Sequence, residues 1–214
     1  YNKYKSNKLS YYKLEEIKNF VYFPLQFQPE ANIDLSAYPF NNQIETARQC
    51  AMNLPNDYKL VVKDHPEMHG KRSASYLEKL LRIPNVKLVH YSISGLEYLK
   101  KCDFLIAATG TTCWEAALLK KPTILLGKLG THCLLPNVKT INNYNEIPNI
   151  ILKFEKDNNF FFNNYDEKLL KIISASRDEI FDLNYSRLWS KGYLSELDMD
   201  KIYMKFIKGI DNFY

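Results

Sequence analysis

The stretch LIAATGTTCWEAALL, residues 105–119, contains a polar break between two apolar segments of different character. Residues typical of a strand end at Ala108, and residues that favour a helix resume a few positions later. Gly110 permits a tight turn between them, and free backbone amides are expected at residues 111–114, where the helix starts. The break therefore predicts an anion site, with phosphate as its natural occupant. The residues of this predicted site are Thr109, Gly110, Thr111 and Thr112. A threonine-rich helix start is also an ordinary N-cap, so a purely structural role stays open.

A second candidate occurs in VVKDHPEMHG, residues 61–70, where an apolar strand ends at Lys63. Pro66 fixes the following turn and keeps His65 extended, so we expect the imidazole to project from the end of the strand. A histidine in this position can donate a hydrogen bond to phosphate, or carry positive charge beside it. Lys63 and Lys71 would add positive potential. The alternative is a surface histidine that caps a turn.

Two further sets of polar residues could complete a site at the same edge. Gln26, Gln28 and Glu30 follow a predicted strand in YFPLQFQPE, residues 22–30, where two prolines restrain the backbone. Their side chains could contact a ligand, or they could equally well form hydrogen bonds that anchor the loop. Glu115 lies one turn into the helix behind the threonine break, where an acid is favoured near any helix start. There it could also meet the hydroxyl groups of a ribose.

These candidates require strands that end at one edge of a sheet. Short apolar runs alternate with segments of helical period from residue 20 to residue 127, as in βαβ units with a mostly parallel sheet. The pattern predicts a Rossmann-like, doubly wound α/β fold, in which ligands bind near the switch in strand order. Predicted strands cover residues 20–27, 58–64, 86–90, 103–108 and 122–127, with 138–141 at most an edge strand. Predicted helices cover residues 41–54, 73–82, 94–102, 112–120, 145–155, 166–181 and 199–213.

The expected organisation is a single domain over residues 1–214. Residues 1–19 form a leading segment or linker, residues 20–142 the βα core, and residues 143–214 a set of C-terminal helices that cover a sheet edge. No apolar run approaches the roughly 20 residues of a membrane span. We therefore expect a soluble, cytoplasmic chain.

Charge and cysteine content argue against other classes of protein. The chain has 29 basic and 24 acidic residues, a formal charge of +5, and the two signs are mixed along the sequence. A nucleic-acid-binding domain would instead carry a dense basic stripe, so nucleic acid is not the expected partner. The four cysteines have neither metal-ligand spacing nor the density of a disulfide scaffold. We expect no metal and no cofactor.

Three motifs in order, FPLQFQPE, VVKDHP and ATGTTCWEAALLKKPTILLG, resemble the nucleotide-binding half of bacterial capsule polysaccharide synthesis proteins. This group includes the Kdo transferases, and the similarity spans residues 20–138. Such proteins resemble two-domain GT-B glycosyltransferases, whose C-terminal Rossmann-like half holds the sugar nucleotide. The resemblance implies that His65 and Pro66 contact the phosphate of a CMP-sugar. It further implies that the threonine turn completes the phosphate site and that Glu115 meets the ribose or nearby sugar groups. Thr131 and His132 occupy a loop of the family at a weakly matched position.

The resemblance implies the donor-nucleotide domain of a glycosyltransferase in capsule or surface polysaccharide biosynthesis, with CMP-Kdo or a related CMP-sugar as donor. Its partners would be a glycan or glycolipid acceptor and, peripherally, the inner face of the membrane or capsule assembly proteins. We expect the acceptor half of such enzymes to lie outside this chain, and we expect the C-terminal helices to self-associate. Two alternatives stay open: a sugar-nucleotide epimerase of GT-B-like fold, and a non-catalytic nucleotide- or glycan-binding module of a capsule assembly complex.

Overall fold

The computed structural model describes residues 1–127, 130–177 and 196–211, and a parallel β-sheet forms its centre. The strands are β1 (Phe20–Pro24), β2 (Lys59–Lys63), β3 (Val86–Val89), β4 (Phe104–Ala107), β5 (Thr123–Leu126) and β6 (Val138–Ile141). They are hydrogen-bonded in the order β3-β2-β1-β4-β5-β6, and every pairing is parallel. This order reverses direction between β1 and β4, as in the Rossmann fold. The predicted fold class is confirmed, and residues 138–141 form the expected edge strand.

Helices lie between the strands and after the sheet. They are α1 (Asn2–Asn7), α2 (Gln43–Met52), α3 (Ala74–Leu81), α4 (Gly95–Lys101), α5 (Thr112–Leu118), α6 (Ile147–Lys156), α7 (Asn159–Phe162), α8 (Tyr165–Arg177) and α9 (Glu196–Asp211). Side chains cap several of them: Asn42 accepts from the amide of Glu45 at the start of α2, and Ser73 from that of Tyr76 at the start of α3. Residues 178–181 and 212–213 of the predicted C-terminal helices lie outside the described residues.

Alternate residues of the buried strands face opposite layers of helices. Val21 and Phe23 of β1 lie in a core with residues of α2, α3 and α6, whereas Phe20 and Tyr22 lie in a second core with residues of α4 and α5. All four side chains are at most 3% exposed. Because both faces of the sheet are covered, its strands are mainly apolar, as expected for a parallel sheet.

The chain divides into two compact units, residues 1–169 and 170–214. The first contains the sheet, helices α1 to α7 and the start of α8; the second contains the rest of α8 and α9. The organisation into one domain with a core at residues 20–142 stays a prediction. Within the first unit, the leading segment packs against the sheet: Leu14 is buried, and the amide of Tyr12 donates to the carbonyl of Leu88 at 3.0 Å. No described helix combines the length and apolar character needed to cross a membrane.

Replacing Ile151 by Ala should lower the free energy of unfolding by about 2–5 kcal/mol, because Ile151 is fully buried in the core on which α6 packs. Leu152, the next residue of α6, is 45% exposed, and Leu152→Ala should change stability by only about 0.5 kcal/mol. Urea unfolding of both variants measures the difference. Equal losses would mean that α6 does not pack on the sheet through this face.

Candidate functional site

A cleft of about 570 Å³ opens at the carboxyl ends of the strands, beside the point where the strand order reverses. Its walls come from the ends of β1 and β2, the start of α4 and the start of α5. The residues predicted from the sequence that line it are Lys63, His65, Pro66, Thr111, Thr112 and Glu115. Tyr22, Pro24, Leu25, Asp64, Ser94, Gly95 and Leu96 complete the lining. The structure thus brings together the predicted site residues of two motifs, and the third motif, YFPLQFQPE, contributes Tyr22, Pro24 and Leu25.

Four predicted site residues are not part of this lining. Thr109 is 5% exposed, and Gly110 adopts a φ of +105°, which favours glycine. Gln28 donates to the Asp34 carboxylate and accepts from the side chain of another glutamine, as an anchor for its loop would. Glu30 is exposed and accepts from a neighbouring asparagine. Their assignment to ligand binding stays a prediction.

The weakly matched loop after β5 also lies apart from the cleft lining. Thr131 and His132 belong to a short 3-10 helix, Gly130–Leu134. Residues 128–129, which precede it, are outside the described residues. The structure therefore gives no contact between these two side chains and the cleft.

Lys63 places a buried ammonium group at the wall of the cleft. The residue is 4% exposed, and the one hydrogen bond of its side chain to the described residues goes from Nζ to the backbone carbonyl of Asp64, at 3.3 Å. Burial lowers the pKa of Lys63, and the nearby Asp64 carboxylate opposes this shift. An ammonium with so few partners is costly in a buried position unless an anion compensates it. Lys63 therefore gives this wall of the cleft a positive group that a negatively charged ligand would compensate.

His65 is oriented by hydrogen bonds on both its backbone and its ring. Its φ and ψ are −65° and 132°, so the residue is extended before Pro66, as predicted. The amide of Glu67 donates to Nδ1 at 3.2 Å, and burial lowers the pKa of His65. The ring is therefore neutral near pH 7, and because Nδ1 accepts, the proton sits on Nε2. His65 offers the cleft an N–H donor.

The start of α5 offers fewer backbone donors than the sequence predicts. The amide of Cys113 donates to Gly110 at 3.2 Å, and that of Trp114 to Thr111 at 2.9 Å, so these two groups are already satisfied. The turn at Gly110 causes this, because it folds its own carbonyl back toward the helix. The amides of Thr111 and Thr112 make no hydrogen bond to any described residue. Thr111 and Thr112 line the cleft together with Glu115, whose side chain is exposed.

Sequence reasoning missed Arg72, which forms a buried ion pair with Asp64 behind the cleft. Burial raises the pKa of Asp64, and the Arg72 guanidinium is the largest influence that opposes this rise. The sequence offers little signal for this pair, because Arg72 lies in a polar turn whose residues look exposed. It also missed Tyr22, since an apolar strand pattern does not reveal which aromatic ring ends at a cleft wall.

The fold and the cleft define a Rossmann-like α/β domain with a polar cleft at its topological switch point. A protein-family model described as lipid-A-disaccharide synthetase matches residues 30–179, more than half of the chain. The chain belongs to the lipid-A-disaccharide synthetase family. This confirms the coarser part of the resemblance seen in the sequence, a relationship to GT-B glycosyltransferases. The narrower relationship to Kdo transferases of capsule assembly is not part of that finding.

Solved structures with similar folds are distant in sequence. Staphylococcus aureus MnaA with UDP is 16% identical, with a TM-score of 0.47, over 67% of this chain and 39% of MnaA. Anabaena HepE with UDP-glucose is 16% identical, with a TM-score of 0.47, over 73% of this chain and 44% of HepE. The UDP-GlcNAc 2-epimerase of Methanocaldococcus jannaschii is 18% identical, with a TM-score of 0.43, over 60% and 36%.

This chain therefore spans less than half of the length of each of these proteins. Structural similarity at this level gives no information about the ligand or the activity of this chain. A comparison with curated proteins found no match.

Lowering the pH from 7.5 to 5.5 should destabilise the protein, and His65→Gln should weaken that dependence. Burial holds the pKa of His65 below 6.5 in the folded state, so the unfolded chain binds the proton first as the pH falls. The stability contributed by neutral His65 is present above the unfolded pKa and is lost as the pH falls toward the folded pKa. Urea unfolding of the parent and of His65→Gln at pH 7.5 and pH 5.5 measures this pH dependence of the free energy of unfolding. An identical pH dependence in His65→Gln would contradict the neutral state of this half-buried ring.

Proposed function

We propose that this chain is the donor-nucleotide-binding domain of a glycosyltransferase, and that its cleft holds the phosphate of a nucleotide sugar. The observation that carries the proposal is the buried ammonium of Lys63, which lines the cleft with one carbonyl as its hydrogen-bond partner. A phosphate oxygen would supply the missing partners and offset the cost of burying this charge. Membership of a family named for joining two sugars supports the same reading.

The other lining groups fit the same ligand. The Nε2–H of His65 and the amides of Thr111 and Thr112 are neutral donors on the same cleft, and phosphate oxygens accept from such groups. During transfer, the bond between the sugar and the phosphate breaks and negative charge develops on the leaving nucleotide. Fixed donors and a cation in a shielded cleft stabilise that charge without reorganisation.

The remaining predicted residues take supporting roles in this proposal. Glu115 is exposed at the cleft, so its carboxylate can accept hydrogen bonds from ribose or sugar hydroxyls. Thr109 and Gly110 shape the turn that presents the two free amides. We assign Gln28 and Glu30 to anchoring the loop after β1, because their side chains are engaged with Asp34 and Asn32.

For the donor, we propose CMP-Kdo or a related CMP-sugar, on the strength of the similarity of His65 and Pro66 to the His-Pro motif of CMP-sugar enzymes. For the acceptor, we propose a glycan or glycolipid of capsule or other surface polysaccharide assembly. The family description supports a lipid-linked sugar in particular.

We propose further that the group that activates the acceptor lies outside this domain. The carboxylates that line the cleft in the described residues are Asp64 and Glu115. Asp64 is paired with Arg72 and bonded to the amide of His65, so it is poorly placed to take a proton from an acceptor.

The purified 214-residue chain should bind the donor and transfer nothing, which mass spectrometry of reactions with CMP-Kdo and capsule-type acceptors would test. Efficient transfer would mean that the group that activates the acceptor lies within this chain.

In a panel of CMP, UDP, TDP, GDP and ADP, CMP should give the largest thermal shift. A ligand at about one hundred times its dissociation constant stabilises the folded state by about 2.7 kcal/mol, which is several degrees for a chain of this size. A clear preference for UDP would replace the CMP-Kdo proposal and leave nucleotide-sugar binding intact. No shift with any of the five would overturn the proposed function.

Replacing Lys63 by Met should weaken binding of the preferred nucleotide about ten- to hundredfold, since a hydrogen bond to a charged group contributes about 1.5–3 kcal/mol. Lys71→Met is the matched control, because Lys71 is exposed, lies 5.1 Å from the centre of the Phe27 ring and does not line the cleft. Titration calorimetry of both variants measures the difference. Equal effects would show that Lys63 acts only through the general positive charge of the region.

A further inference from the structure

Arg72 connects two loops of the proposed site while lying behind the cleft. Its side chain is 4% exposed, and that of its partner Asp64 is 6% exposed. Nη1 of Arg72 donates to Oδ1 of Asp64, and Nη2 donates to the backbone carbonyl of Gln26 at 2.9 Å. Arg72 does not line the cleft itself. One guanidinium thus joins the loop after β2 to the loop after β1.

The Asp64 end of this link reaches His65. The same Oδ1 that accepts from Arg72 also accepts from the backbone amide of His65, at 2.8 Å. Because Arg72 fixes the carboxylate, it also fixes the peptide from which the imidazole projects. The ring is then held by the amide of Glu67 on Nδ1.

The Gln26 end reaches the turn after β4. The backbone of Gln26 is held on both sides by Gln43, which accepts from its amide at 2.6 Å and donates to its carbonyl at 3.2 Å. The Oε1 atom of the Gln26 side chain would lie 3.0 Å from a Cβ atom added to Gly110. The loop after β1 therefore packs directly against the turn that presents Thr111 and Thr112.

The ion pair between Arg72 and Asp64 is better suited to orienting the groups around it than to stabilising the fold. A buried ion pair repays its desolvation only with good geometry, so its presence is weak evidence for a gain in stability. The planar guanidinium holds two acceptors in fixed directions, which a lysine cannot do. The Arg72 guanidinium also lies 4.8 Å from the centre of the Tyr76 ring, a contact that restrains its plane.

We propose that Arg72 is a positioning residue: it fixes His65 relative to the Gln26 and Gly110 loops and thereby sets the affinity of the cleft for a nucleotide phosphate. The effect on affinity rests on the function proposed above, whereas the effect on His65 does not.

The test compares Arg72→Lys, Arg72→Met and a control, Arg48→Lys. Arg48 forms an ion pair with Glu45 in which the two side chains are 41% and 46% exposed, so the same exchange there breaks no buried link. For each variant we would measure the melting temperature and the dissociation constant of whichever panel nucleotide binds the parent most tightly. Hydrogen exchange of the His65 amide in the unliganded protein is the third readout, with the amides of β5 as internal reference.

Arg72→Lys should stay folded, bind the nucleotide at least about tenfold more weakly, and exchange the His65 amide faster while the β5 amides are unchanged. Arg48→Lys should match the parent in all three measurements. A purely structural role would instead speed exchange in β5 as much as at His65, which would overturn the proposal. If Arg72→Met fails to fold, the measurements on Arg72→Lys alone decide whether Arg72 positions His65.

Parent-like affinity in Arg72→Lys together with unchanged His65 exchange would also overturn the proposal. If the parent binds none of the panel nucleotides, the proposed function fails but His65 exchange still decides the positioning role. Selectively faster exchange would support that role, and unchanged exchange would overturn it.

Discussion

The separation of β1 from β4 at the carboxyl edge of the sheet is the constraint on which the site depends. β1 stays paired with β2 through Pro24 and Lys63, whereas its register with β4 comprises Val21 and Tyr22 only. Beyond Tyr22 the chain follows β2, as the hydrogen bond from the Leu25 amide to the Lys63 carbonyl shows. A reversal of strand order necessarily sends the two connections to opposite faces, and the space between them is the cleft. The polar residues that line the cleft, from the end of β2 and the starts of α4 and α5, therefore share one cavity.

Two cations are buried near this edge, and their surroundings give them different roles. Arg72 has an acidic partner and two fixed acceptors, so its charge is compensated within the domain. Lys63 has a backbone carbonyl as its hydrogen-bond partner and lines the cleft. An ammonium with one hydrogen-bond partner, which shares the Asp64 carboxylate with Arg72, is costly in a marginally stable fold, and such groups are often found at binding sites. The asymmetry between the two cations therefore points to an anion at Lys63.

Backbone geometry limits how the site can be built. The turn at Gly110 needs a positive φ, and a Cβ there would lie only 3.0 Å from Oε1 of the Gln26 side chain. The same turn uses its own carbonyls to satisfy the amides of Cys113 and Trp114. What reaches the cleft is a short strip of backbone at Thr111 and Thr112, beside the buried ammonium and the neutral imidazole. The positive group that the cleft offers to a ligand is therefore a side chain, Lys63, and not the short helix behind the turn.

The sequence by itself determined the alternation of strands and helices, since apolar runs and helical periods are local patterns that burial on both faces of a parallel sheet imposes. It also determined that His65 is extended, because Pro66 acts on its immediate neighbour. The tertiary structure alone decided which polar residues meet. Gln28 and Glu30 looked as suitable as Lys63, yet the loop after β1 turns them toward Asp34 and Asn32. Arg72 gave no signal, because its contact with Gln26, 46 positions away, depends on the pairing of β1 with β2, and its contact with Asp64, 8 positions away, depends on how the loop after β2 folds. Contacts between distant residues depend on strand order and register, which no short stretch of sequence encodes.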